Sequence, residues 1–110
     1  MATQAGRGPR VVELGRGMAT TWAGRLLADH GADVLKVEPP EGDALRKHGP
    51  FPGEQDPDRS AVFVAANVNK RGLTLNPASA DGPGRLQHLL DWAEIDCCKQ
   101  VTLKGTTRLR

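Results

Sequence analysis

The chain has 110 residues, 25% of them charged, with a formal net charge of +2 and four aromatic residues, Phe51, Phe63, Trp22 and Trp92. That length allows one small domain whose core must rest on Leu, Val and Ala, and no apolar run is long enough to cross a bilayer. The positive charge is local. Residues 1–95 carry 11 Lys/Arg against 12 Asp/Glu, whereas residues 96–110 carry four basic residues and one acid, so a basic nucleic-acid face on the folded part is not expected.

Residues 1–9 read as a disordered leader without an apolar stretch of signal-peptide length, and the expected location is cytoplasmic. Val11, Val12 and Leu14 make a short buried strand bounded by Gly15. From Met18 the apolar period changes. Met18, Ala19, Trp22, Ala23, Leu26 and Leu27 recur at three- and four-residue steps, which predicts a helix with this stripe, Trp22 included, turned to the core and Thr20, Thr21, Arg25 and Asp29 on the other side. Gly31 is the stop signal. Val34, Leu35 and Val37 give a second strand, parallel to the first by a right-handed crossover. Pro39 and Pro40 end it.

Residues 38–59 are rich in Pro, Gly and charge and read as a loop. Within it Asp43 and Arg46 are placed to form a local ion pair, and Glu54, Asp56 and Asp58 to form a solvated acidic patch. Residues 60–68 are apolar; Ser60 as a cap and the alanines favour a short helix. Leu73, Thr74 and Leu75 form a third strand. Asp81, Gly82 and Pro83 start a last helix whose buried stripe is Leu86, Leu89, Leu90 and Ala93. A further strand is due after Ile95, but the sequence DCCKQVTLKGTTRLR is polar and basic, and is expected to break the pattern. Cys97 and Cys98 are adjacent, a poor geometry for a mutual disulfide, and no Cys/His spacing suggests a metal site. His30, His48 and His88 are scattered.

The turn Gly15-Arg16-Gly17 presents backbone N–H groups at a helix N-terminus, where anions bind. With Glu38 at the end of the second strand it imitates a dinucleotide fingerprint, but Thr20 stands where the third glycine belongs. Arg46, Lys70 and Arg71 are the cations suited to a polyphosphate.

Three separated blocks, RVVELGRGMA, GRLLADHGADVLKVEPPEGDALR and NVNKRGLTLN, together resemble the N-terminal region of class III CoA-transferases, a group that includes formyl-CoA, carnitine and bile-acid CoA-transferases and the related α-methylacyl-CoA racemases. The likeness covers residues 10–95 and leaves 96–110 as a non-family tail, the mark of a truncation or a changed reading frame. It implies an α/β, Rossmann-like parallel sheet with flanking helices, coenzyme A carried as an acyl-CoA substrate, a carboxylic acid acceptor, no metal, and a homodimer of longer chains. It also implies that an aspartate carboxylate attacks the acyl-CoA to form covalent intermediates. The position of that aspartate lies beyond residue 110, so no catalytic residue is assigned and the chain alone is expected to be inactive. The positions implied to touch CoA are Met18 and Ala19 in the first turn, and Leu75, Asn76, Pro77 and Ala78 after the third strand. Departures from the family pattern are Thr20-Thr21, Pro39 in place of an arginine, and Asn76 in place of an aspartate. Two alternatives stay open: a non-catalytic CoA-binding or dimerisation fragment, and the racemase branch.

Overall fold

A computed structural model describes residues 8–97. Four strands, β1 (Arg10–Glu13), β2 (Asp33–Glu38), β3 (Arg71–Thr74) and β4 (Ile95–Cys97), form one sheet of order β3-β2-β1-β4 with every pairing parallel. Helices α1 (Met18–Asp29), α2 (Ala61–Asn67) and α3 (Gly82–Trp92) lie between successive strands, so the chain is an α/β protein of the expected kind. The registers Val11↔Val34 and Glu13↔Lys36 bring the first two strands together in line. Most of the proposed leader and most of the proposed tail lie outside the described residues. Gly8 and Pro9 do belong to the fold, the Gly8 amide donating to Gly31 O and Pro9 O accepting from the Asp33 amide. The strand expected to be lost after Ile95 is present as β4, paired to β1 through Val11↔Ile95 and Glu13↔Cys97. A three-residue strand on a buried neighbour needs little apolar content of its own, because the ladder supplies its hydrogen bonds.

The core is small. Val11, Ala28, Ala32 and Val34 are buried together, with Leu27 and Cys97 packed against them. Helix α1 faces it in an orientation opposite to the one its apolar period predicts. Thr20, Thr21, Gly24 and Ala28 are buried, whereas Met18, Trp22 and Leu26 are 45%, 44% and 47% exposed. Trp22 is therefore not a core residue; the Arg25 guanidinium lies 5.0 Å from its ring centroid. The physical reason is what lies beneath the helix: the head groups of Glu13, Lys36 and Lys70 occupy that side of the sheet, and only small or hydroxyl-bearing residues let the helix approach them. On the opposite face Trp92 of α3 packs near the guanidinium groups of Arg10 and Arg71, and Leu86, Leu89, Leu90 and Ala93 are half-buried there.

The long loop is braced. It contains a single 3-10 turn at Ala44–Lys47, capped by the Asp43 carboxylate, which accepts from the Leu45 amide. Arg46 does not pair with Asp43. It makes a bidentate pair with Glu38 at 2.7 Å for both bonds and reaches Asp58 at 3.2 Å, while Asp43 pairs with Lys36 at 2.8 Å. Asp58 is solvated as expected, its side chain 88% exposed, with this one ion pair to Arg46. Residues 61–67 are helical as expected, with Ser60 Oγ accepting from the Phe63 amide.

Candidate functional site

Strand order fixes where a ligand can sit. The chain proceeds outward from β1 to β2 and β3, then returns through α3 to β4 on the other side of β1. The direction of winding reverses between β1 and β4, and in open parallel sheets the crevice for ligands lies outside the carboxyl ends of the strands at such a switch point. Residues 15–19 follow β1 at that crevice. Gly17 has φ 93° and is the N-cap of α1, with no side chain capping the helix, so the first-turn amides point outward without an internal acceptor, as an anion site requires.

Beneath this turn lies a buried charge cluster that the sequence reading did not single out. Glu13 is 0% and Lys36 4% exposed. Glu13 Oε2 accepts from Lys36 Nζ at 2.7 Å and Glu13 Oε1 from Lys70 Nζ at 2.6 Å. Lys36 Nζ also donates to Thr21 Oγ1 at 3.1 Å and pairs with Asp43. Lys70 Nζ donates further to Thr21 O at 2.7 Å and to Asn67 Oδ1 at 2.9 Å. Burial draws the pKa of the Lys70 ammonium below the ordinary lysine range, against the opposing pull of the Glu13 carboxylate. The hydrogen bonds from Arg46 hold the Glu38 carboxyl below the usual carboxylate range, and Glu38 in return raises the Arg46 guanidinium. Glu13 and Lys36 are opposite charges at facing positions of β1 and β2, a pairing that the strand register reveals and the sequence alone does not.

The residues expected to touch CoA separate into two groups. Met18 and Ala19 are exposed in the first turn of α1. Leu75, buried, continues from β3 with its amide on Glu38 O, and Asn76, Pro77 and Ala78 are exposed beyond it. Both segments lie at the carboxyl edge of the sheet. The Asn76 side chain accepts from the Ala78 amide at 3.0 Å, closing that turn. Arg71, in contrast, opens β3 at the amino edge, where it pairs with Asp33 by two bonds of 2.8 and 2.9 Å. Arg46 is engaged by Glu38 and Asp58, and Lys70 by the three acceptors named above. Glu38, bound to Arg46, to the Asp43 amide and to Leu75 through its carbonyl, is not placed to serve as the ribose acid of a dinucleotide fold. Among the described residues no cluster of three or more His, Cys, Asp or Glu could hold a metal ion, and no helix is long and apolar enough to cross a membrane.

A parallel sheet with a switch-point crevice at the carboxyl end of β1 and flanking helices defines an open α/β protein. The comparisons with known proteins narrow this. CoA-transferase family III matches residues 7–100, and the chain belongs to that family. The match takes in β4. The chain is 40% identical over 92 residues to succinate–glutarate CoA-transferase from Agrobacterium fabrum and 38% identical over 89 residues to (R)-2-hydroxy-4-methylpentanoate CoA-transferase from Clostridioides difficile; each alignment covers 80% of this chain. A CAIB/BAIF family protein from Brucella suis superimposes with a TM-score of 0.71 at 39% identity, over 81% of this chain and 24% of that one. The chain spans less than a quarter of the length of these relatives, 22–23% of the two transferases.

Proposed function

We propose that this chain is the CoA-binding N-terminal part of an acyl-CoA:carboxylate CoA-transferase, in which the nucleotide end of CoA rests against residues 15–19 and 75–78. The observation that carries the reading is the position of the uncapped first turn of α1 at the β1/β4 switch point, in a chain of this family. Met18 and Ala19 offer a small apolar surface beside outward amides, suited to a ribose-phosphate, and Leu75 to Ala78 form the second wall. Lys70 is left out as a direct contact because its three donors are committed within the protein, and Arg71 because it stands at the amino edge of the sheet, paired with Asp33; Arg46 contributes by holding the loop at Glu38. The reaction class moves CoA between two carboxylic acids, breaking one acyl C–S bond and forming another with no change of oxidation state. No residue of this chain is assigned as the attacking carboxylate, so the chain alone transfers no CoA. The names of the relatives favour the transferase reading over the racemase branch. Pairing of the full-length protein as a homodimer, and a cytoplasmic location, belong to the same proposal and rest on the family resemblance.

Titration calorimetry with CoA tests the binding, and incubation with succinyl-CoA and a panel of carboxylates tests the chemistry. Saturable CoA binding without turnover is expected. Turnover above the blank, or no heat of binding at CoA concentrations up to the millimolar range, overturns the corresponding half of the proposal.

A further inference from the structure

We propose that Lys70 is a positioning residue for the CoA cradle: its ammonium fixes the end of β1 and the first turn of α1 against the turn that leads into β3, and it does so without touching the ligand. This rests on the CoA-binding reading above.

The argument begins with donor capacity. A lysine ammonium has three N–H groups, and Lys70 places them on Glu13 Oε1, Thr21 O and Asn67 Oδ1, at 2.6, 2.7 and 2.9 Å. Its side chain is 2% exposed, so no donor or surface is left for a phosphate. The three acceptors belong to three different elements. Glu13 is the last residue of β1, two before Gly15. Thr21 lies in the opening turn of α1, and its amide donates to Gly17 O. Asn67 is the last residue of α2, followed by the turn that delivers β3. The end of β1 and the opening turn of α1, which flank the first proposed wall, are therefore held to the end of α2 from one nitrogen atom; the second wall lies at the far end of β3. Lys36 has a similar reach: it shares Glu13 and Thr21 with Lys70 and adds Asp43 of the loop. A cation that merely neutralised Glu13 would not need the main-chain bond to Thr21 or the amide bond to Asn67.

Positioning makes a different forecast from direct contact. If Lys70 acts through Glu13 and Thr21, removing either partner disables the same cradle, and the losses do not add. If Lys70 touched a phosphate, its loss would be independent of Glu13. The test measures CoA affinity by calorimetry for the parent, Lys70→Met, Glu13→Gln and the double variant, at a temperature where circular dichroism shows each fully folded. Each single change is expected to weaken CoA on the order of tenfold, about 1.4 kcal/mol, and the double variant to be no weaker than the weaker single. Asn67→Ala, which removes one acceptor and keeps the ion pair, serves if Lys70→Met does not fold; a smaller loss in the same direction is expected. Hydrogen exchange without CoA supplies the second readout: the Thr21 amide should exchange on the order of tenfold faster in Lys70→Met, with the β1–β2 ladder unchanged. Parent-like CoA affinity in Lys70→Met, additive losses, or unchanged Thr21 exchange overturns the proposal. If the parent itself fails to bind CoA, the functional reading fails, and the exchange result still decides whether Lys70 holds the turn.

Discussion

Replacing Gly24 with alanine reverses an ordinary rule. In a helix interior, Gly to Ala stabilises by about 1 kcal/mol, because alanine has less backbone freedom to lose. Gly24 is in the middle of α1 and buried. A Cβ there would lie 2.1 Å from Glu13 Oε1 and 3.2 Å from both Glu13 Cδ and Lys70 Nζ. The carboxylate would have to retreat by roughly 1 Å to reach ordinary van der Waals contact. It has no room to do so, since it is fully buried and bonded to two lysines. A retreat of that size breaks the bond to Lys70, and an uncompensated buried charge costs about 3–5 kcal/mol. Set against the helix gain, the net loss is about 2–4 kcal/mol. Urea unfolding followed by circular dichroism should show a midpoint lowered by about 1–2 M at a slope of ~2 kcal/mol per M. Gly84→Ala in α3 is the control: no atom lies within 4 Å of its added Cβ, and it should be neutral or more stable by up to about 1 kcal/mol. A Gly24→Ala protein as stable as the parent would show that the helix does not press on the Glu13 carboxylate, and the geometry of the cluster would be refuted.

Three further outcomes follow from the same contacts. Ser60 is fully buried, caps α2 by accepting from the Phe63 amide and shares its one hydroxyl proton between the part-buried carbonyls of Leu45 and His48; Ser60→Ala should cost about 1–2 kcal/mol in urea unfolding, chiefly the lost cap. Leu26→Gln, at 47% exposure, should change stability by no more than about 0.5 kcal/mol, and a loss of about 2 kcal/mol or more, the value for a core leucine, would mean that the apolar stripe is buried after all. Arg46→Met should cost about 1.5–3 kcal/mol at pH 7, with the deficit shrinking in acid. The sign follows from Glu38, whose pKa Arg46 lowers in the folded state: that stabilisation is present above the unfolded carboxyl value of about 4.3 and is lost as pH falls through the lower folded value. A deficit of equal size at pH 7 and pH 3 would remove Glu38 as the partner that matters.

The alternation of fold elements was legible because each carries a local cause. Val11 and Val12 are β-branched, Gly15 and Gly17 break the strand before α1, Ser60 caps α2, and Pro83 sits in the first turn of α3. The resemblance blocks led to the family, and the family match extends to residue 100, past the point where the sequence pattern was read as broken. β4 was missed because Asp96 and Cys97 have no apolar period; the ladder to β1, a long-range pairing, makes the strand. The orientation of α1 was missed for a related reason. A hydrophobic period says which residues share a face, and only the partner surface says which face turns inward. Glu13, Lys36 and Lys70 are 57 residues apart at the extremes, and their meeting was not visible to any window moved along the chain. Similarly, Arg46 was assigned to its neighbour Asp43 on local spacing, whereas the bidentate geometry of Glu38 won it.

The buried cluster is best understood as a device for geometry rather than for net stability. Two lysines and two carboxylates taken from water cost several kcal/mol each, and well-packed apolar residues of the same volume often do as well or better. The apolar alternative would also have let α1 lay its own Met18, Trp22 and Leu26 row on the sheet, the more stabilising arrangement by area. What apolar packing does not supply is direction. Glu13 accepts from lysines on two sides, Thr21 contributes both its hydroxyl and its carbonyl, and Asp43 ties the loop to the same ammonium as Glu13. Each bond has a narrow range of distance and angle, so the opening turn of α1 is held in one register relative to the strand ends. The proposed CoA site, built from backbone amides, has no side chain to adjust its aim. Its precision must come from beneath, and a charge network that locks helix, strand and loop together is the part of this chain that can provide it.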